Sequence, residues 1–130
     1  VIAVQQAQDL TPESAAFLAQ ALPYDTGGPS ASLDDMVRGC KLFELRDGAR
    51  LVGAFAARAS FYSDGPQLCV TAAGGLPGYD LTDAMHAWAI DQAAQHGFIS
   101  LTCTTVRAGL VRKLRRAGYQ VAGYVMRKDL

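Results

Sequence analysis

Gln67-Leu-Cys-Val-Thr-Ala-Ala73, then Gly74-Gly-Leu-Pro-Gly-Tyr79, then Asp80 to Gly97 run consecutively, and their reading decides the fold. The first piece is a short apolar, β-prone run and reads as a buried strand. The second is a glycine-rich loop. The third places Leu81, Ala84, Met85, Trp88, Ala89 and Ala93 at helical spacing, so a helix is predicted from Asp80 to about His96, stopped by Gly97. Glycines just ahead of a helix leave backbone N–H groups uncovered where the helix dipole places partial positive charge. Such a corner either holds a phosphate or is a tight turn, and glycine content alone does not choose.

Downstream, Phe98-Ile-Ser-Leu-Thr-Cys-Thr-Thr105 is rich in β-branched residues and reads as a strand. Strand, helix and strand in that order call for a parallel, right-handed crossover. A last helix is predicted from about Arg107 to Ala117, with Leu110, Val111 and Leu114 inward and Arg112, Lys113, Arg115 and Arg116 outward. Gly118 caps it, and Tyr119 to Lys128 reads as the final strand.

Upstream, Asp47-Gly48 joins Lys41–Arg46 to Arg50–Tyr62 and is the strongest hairpin signal in the chain. Alternation puts Leu51, Gly53, Phe55, Ala57, Ala59 and Phe61 on one face of the second arm. The turn Ser63-Asp-Gly-Pro66 then leads into the strand at Gln67. Ahead of the hairpin, Val1 to Val4 is β-prone, and Thr11-Pro12-Glu13 starts a helix expected to reach about Leu22. Pro23 to Ser30 is the most breaker-rich segment and reads as a loop, and Ser32-Leu-Asp-Asp35 opens a short helix carrying Leu33, Met36 and Val37. The predicted order is β-α-α-β-β-β-α-β-α-β: an α/β fold with a mixed sheet, antiparallel in its front half and completed by a βαβ unit.

The chain's 130 residues fit one domain spanning 1–130 with a single core. Half the residues are hydrophobic and 18% are charged, a globular composition. Twelve basic residues balance twelve acidic ones, so no global field favours nucleic acid or an anionic membrane. The three cysteines, Cys40, Cys69 and Cys103, form no CxxC and imply no disulfide framework. His86 and His96 are the only histidines, and no zinc-ligand spacing occurs. With neither a signal peptide nor an apolar run of about 18 residues, a soluble cytoplasmic protein is expected.

This order of elements, with the glycine loop after the fourth strand, resembles the GNAT superfamily of acyl-CoA-dependent N-acetyltransferases. The resemblance covers nearly the whole chain and is strongest from Lys41 to Lys128. It implies that Leu68 to Ala73 pair with the pantetheine arm of acetyl-CoA, and that the Gly74–Leu81 corner wraps the pyrophosphate. On that reading the cofactor-binding residues are Val70, Thr71, Ala72, Ala73, Gly74, Gly75, Gly78, Tyr79, Asp80 and Leu81, and no metal is needed. The family's loop reads Q/R-x-x-G-x-G/A, and the best match is Gly75-Leu-Pro-Gly78-Tyr-Asp80. Only Gly78 keeps the pattern. Gly75 stands in the Arg/Gln slot, and Asp80 is placed to cap the helix with its own carboxylate, which repels a pyrophosphate.

The last helix is similar to the family's N-x-x-A-x-x-x-Y helix followed by Gly-Phe, and here ends in Gly118-Tyr119. Arg107, Leu110 and Leu114 take the places of Asn, Ala and Tyr. The missing tyrosine is the usual general acid, a role typically contributing a factor of about 10² to 10⁴. The catalytic candidates are Glu44 on the hairpin, Tyr79 in the loop and Tyr119 after the last helix, each with an alternative as a solvated or packing residue. His86 is expected at the surface, and Cys103 either near the splayed strands or as an inert buried thiol. The basic residues of the last helix either face water or meet the CoA 3′-phosphate or an acidic partner. Two functions follow. One is acetyl transfer from acetyl-CoA to a small-molecule or protein amine. The other is a non-catalytic module that binds protein partners in an assembly, such as a bacterial or phage complex.

Overall fold

The computed structural model describes residues 1–130. In chain order its elements are β1 (Ile2–Ala7), α1 (Pro12–Ala19), α2 (Leu33–Val37), β2 (Lys41–Asp47), β3 (Arg50–Tyr62), β4 (Gly65–Gly75), α3 (Leu81–His96), β5 (Ser100–Cys103) and α4 (Ala108–Arg116). Single 3₁₀ turns at Leu22–Tyr24 and Gly28–Ser30 shape the loop between α1 and α2. The strands lie side by side in sequence order, β1-β2-β3-β4-β5. The first four pair antiparallel, and β4 pairs with β5 in parallel across α3.

The starts of α1 and α2 have a local cause. Thr11 accepts from the Ser14 N–H at 3.1 Å, with Pro12 at the first helical position. Ser32 does the same for Asp35 at 3.2 Å. Gly97 ends α3 in the left-handed region at φ 71° and donates to the Ala93 carbonyl at 2.9 Å.

Both faces of the sheet are covered. On the α3 side, Phe43 and Phe55 stack with ring centroids 5.0 Å apart, and Trp88 closes on them at 4.5 and 4.9 Å. Leu45, Val52, Ala57, Leu68, Leu81 and Ala89 complete that cluster. On the other side Ala54, Ala56 and Ala72 meet Leu18 of α1 and Met36 of α2. Small residues there let α1 approach closely. Consequently Val52 to Ala57 are all buried, and one-sided alternation along β3 fails. A register shift opposite Leu45 and Arg46 contributes, as an extra residue resets which face each side chain takes. Past the helices, Phe61 is 81% exposed rather than facing a core.

The final strand is not formed. Tyr119 to Leu130 carry no ladder, so the sheet has five strands. Val121, Tyr124, Val125 and Met126 are between 52% and 88% exposed, so this segment has β-prone side chains and no apolar layer to bury them against. The first helix is also shorter than its pattern, since the chain tightens into a 3₁₀ turn at Leu22.

Candidate functional site

β4 and β5 part company. Their parallel register ends at Val70 opposite Cys103, while β4 continues to Gly75. From Thr71 onward one edge of β4 therefore has no neighbouring strand. At the same point the register of β4 against β3 shifts, from Ala56↔Ala72 to Ala57↔Val70, which makes Thr71 a bulged residue. The Thr71 hydroxyl donates to the Met36 carbonyl at 2.7 Å and lies 3.4 Å from the Cys40 thiol. The bulge is thus tied to the end of α2.

A cleft of about 470 Å³ opens where the strands diverge. Val70, Thr71, Ala72, Ala73, Gly74, Gly75, Tyr79 and Leu81, all expected at a cofactor site, line it. Gly78 and Asp80 do not. A second hollow of about 360 Å³ adjoins it and shares Asp25, Met36, Val70, Thr71 and Thr104, so the two spaces meet at the bulge. Across the cleft, the Val106 N–H donates to the Tyr24 carbonyl at 3.2 Å, and the Arg107 guanidinium sits 5.3 Å from the Tyr24 ring centre. The α1–α2 loop and the segment after β5 are joined there.

The glycine corner differs from a plain phosphate cradle. Gly74 and Gly75 belong to β4, and only residues 76–80 form the loop. A Cβ at Gly74 would collide with the Phe17 carbonyl, and one at Gly75 with the Leu81 side chain. These glycines are required by helix packing. Nearby amides are already engaged: Gly75 N–H donates to Gln20 Oε1 at 3.0 Å, and Leu76 N–H to the Val52 carbonyl at 2.8 Å. Asp80 caps α3, accepting from Asp83 N–H at 3.3 Å, and meets Lys113 Nζ at 3.4 Å. The Asp83 amide, and secondarily the Lys113 charge, hold the Asp80 carboxyl below its ordinary value.

The three catalytic candidates are scattered. Glu44 lies in β2, an interior strand between β1 and β3, and pairs with Arg46 at 2.8 Å outside the cleft. It is neither an edge residue nor solvated, its side chain being 13% exposed. Tyr79 lines the cleft, but its phenol donates to Asp47 at 3.2 Å and pins the loop to the hairpin. The Tyr119 phenol meets His86 Nδ1 at 3.2 Å, so His86 is a half-buried partner rather than a free surface group. Burial, with Cys103 nearby, raises the Tyr119 pKa. Cys103 lines the cleft, and burial raises its thiol, with Cys69 adding to the effect. The cysteines form no disulfide.

Gln20, Tyr24, Arg107 and Lys113 also line the cleft; of these only Lys113, in the basic run of α4, carries an expected cofactor contact, to the CoA 3′-phosphate. The leucine stripe of α4 predicts Lys113 outward, and the parting of β4 from β5 leaves that side of the helix facing the cleft. Nothing in the residues around Gln20 or Tyr24 signals a cleft, because both come from the α1 end and the irregular loop after it. No group of His, Cys, Asp and Glu is arranged to hold a metal, and no helix is long and apolar enough to cross a membrane.

No protein-family model matches the chain, and no curated protein matches it in sequence. Solved structures do match. A transcriptional regulator from Bacillus halodurans C-125 gives a TM-score of 0.69 at 14% identity, covering 100% of both chains. A GNAT family acetyltransferase from Elizabethkingia anophelis with acetyl-CoA bound gives 0.72 at 12%, covering 94% of this chain and 78% of that one. A predicted acetyltransferase with acetyl-CoA from Clostridium acetobutylicum gives 0.67 at 12%, covering 99% of this chain and 96% of that one. Identities this low speak to fold alone. The five-stranded mixed sheet, the helices on both faces and the parting of β4 from β5 give this chain the fold of the GNAT N-acetyltransferases.

Proposed function

We propose that the cleft binds acetyl-CoA and that the chain transfers the acetyl group to an amine held in the adjoining hollow. The observation that carries this reading is the meeting of the two spaces at the Thr71 bulge, beside an edge of β4 that no strand covers. An extended pantetheine arm can add to such an edge by backbone hydrogen bonds, as a further strand would. The bound thioester supplies an activated acyl group. Backbone amides of Val70 to Ala73 polarise its carbonyl, and the two hollows hold amine and thioester in line.

Proton transfer is left to solvent on this account. The phenols of Tyr79 and Tyr119 are engaged with Asp47 and His86, and Glu44 with Arg46. A slow transferase follows, with catalysis mainly by positioning. Incubating the chain with acetyl-CoA and a panel of primary amines, and following CoA thiol release, tests this. Amine-dependent release above the solvent rate is expected, and release that ignores every amine would contradict it.

A second reading has its own support. Asp80 puts a carboxylate at the corner, and Gly75 and Leu76 spend their amides internally. A non-catalytic module that keeps the fold and binds a protein partner needs none of those donors. Absence of CoA binding, together with a stable complex recovered with a protein partner, would favour it.

A further inference from the structure

Of the cations on α4 and just ahead of it, Arg107 and Lys113 line the cleft. Arg107 is laid on the Tyr24 ring. Lys113 reaches the corner itself, where its ammonium meets Asp80 Oδ1 at 3.4 Å. The corner's own donors are largely spent: Gly75 N–H on Gln20, Leu76 N–H on Val52 and Asp83 N–H on Asp80. An anion arriving there finds a carboxylate before it finds free amides.

We propose that Lys113 holds the diphosphate of the CoA thioester, giving up Asp80 for the phosphate as the ligand binds. This rests on the acyl-CoA reading of the cleft. The Lys113–Asp80 pair is suited to such an exchange. Both side chains are about half exposed (52% and 55%), and the contact is a single long one, so water and salt keep it weak. A phosphate oxygen offers the ammonium more negative charge and a charge-assisted hydrogen bond. Asp80 stays on the Asp83 amide throughout, so the start of α3 does not depend on the exchange. The ion pair thus shields the corner when no ligand is bound, and Lys113, rather than the glycine loop, carries the selectivity for phosphate.

The test is calorimetric titration of the whole chain with CoA and with pantetheine, which lacks the diphosphate. Lys113→Met is expected to weaken CoA about tenfold or more while leaving pantetheine unchanged, and Lys113→Arg to retain most of the affinity. Asp80→Asn keeps a capping acceptor, frees Lys113 and removes a repelling charge, so it is expected to tighten CoA several-fold without affecting pantetheine. Wild-type binding of CoA that Lys113→Met leaves unchanged would overturn the proposal alone. Wild-type failure to bind either ligand would overturn the acyl-CoA reading and the proposal with it.

Discussion

Gly74 and Gly75 show how one residue type can serve packing at a place where chemistry was expected. Neither has a backbone angle in the left-handed region, so conformational freedom is not why glycine stands there. Space is the reason: Phe17 and Leu81 occupy the volumes that side chains would need. Gly74→Ala must push α1 off the sheet, and a cost of about 1–3 kcal/mol is expected, read as a lowered midpoint in urea. Gly78→Ala tests a different property. Gly78 has φ 88° with open space around it, so its substitution strains the backbone without a clash. Asp80→Ala removes an N-cap and should cost about 1 kcal/mol at neutral pH. Because the folded carboxyl titrates below its ordinary value of 3.8, its stabilisation is present above that pH and lost as pH falls through the lowered pKa. Wild type and Asp80→Ala should therefore converge in acid, by a small margin given how exposed the group is.

At the scale of elements, the hairpin, the β4–α3 junction and α3 were legible because each has a strong local signature. Asp47-Gly48 sets the turn, the apolar stripe from Leu81 to Ala93 sets the helix, and Gly97 stops it. The last strand is expected and not formed, because β propensity at Val121 to Met126 says nothing about whether a covering layer exists. Along β3 the facing of Phe55 and Ala57 opposite Ala54 and Ala56 holds, but these two alanines are the floor for α1, and Val52 joins the Phe55 cluster where the register shifts. The site was legible in part. The β4 run and the loop could be found from spacing, whereas Gln20, Tyr24 and Lys113 reach the cleft only through packing of distant elements. The bulge is the element on which the proposed chemistry turns. Thr71→Val keeps the shape and removes the hydroxyl bonded to Met36, with an expected loss of about 1 kcal/mol in stability. If the bulge positions the carbonyl-polarising amides, the acetyl-transfer rate falls while the affinity for CoA holds. Equal changes in both would assign Thr71 to binding.

Across the whole molecule, α3 and the α4 segment are joined at two places, Asp80 with Lys113 and His86 with Tyr119 just past α4. Burial raises the pKa of Tyr119 above 10.0 and that of Cys103 above 9.0. An acid whose folded pKa is raised contributes stability below its unfolded value and loses it as pH rises through the folded one. Thermal midpoints should therefore fall from about pH 9 upward as Cys103 and then Tyr119 ionise, and Cys103→Ala should flatten the first part of that decline. No change in slope would mean that neither group is shielded in solution. The parting of β4 and β5 opens the cleft in which ligand binding is proposed.

The most direct measurement is isothermal titration of the wild-type chain with acetyl-CoA. The account predicts saturable one-to-one binding that protects the Cys103 thiol from alkylation, since Cys103 lines the same cleft. Absence of binding at millimolar acetyl-CoA, with the thiol equally reactive with and without ligand, would contradict it.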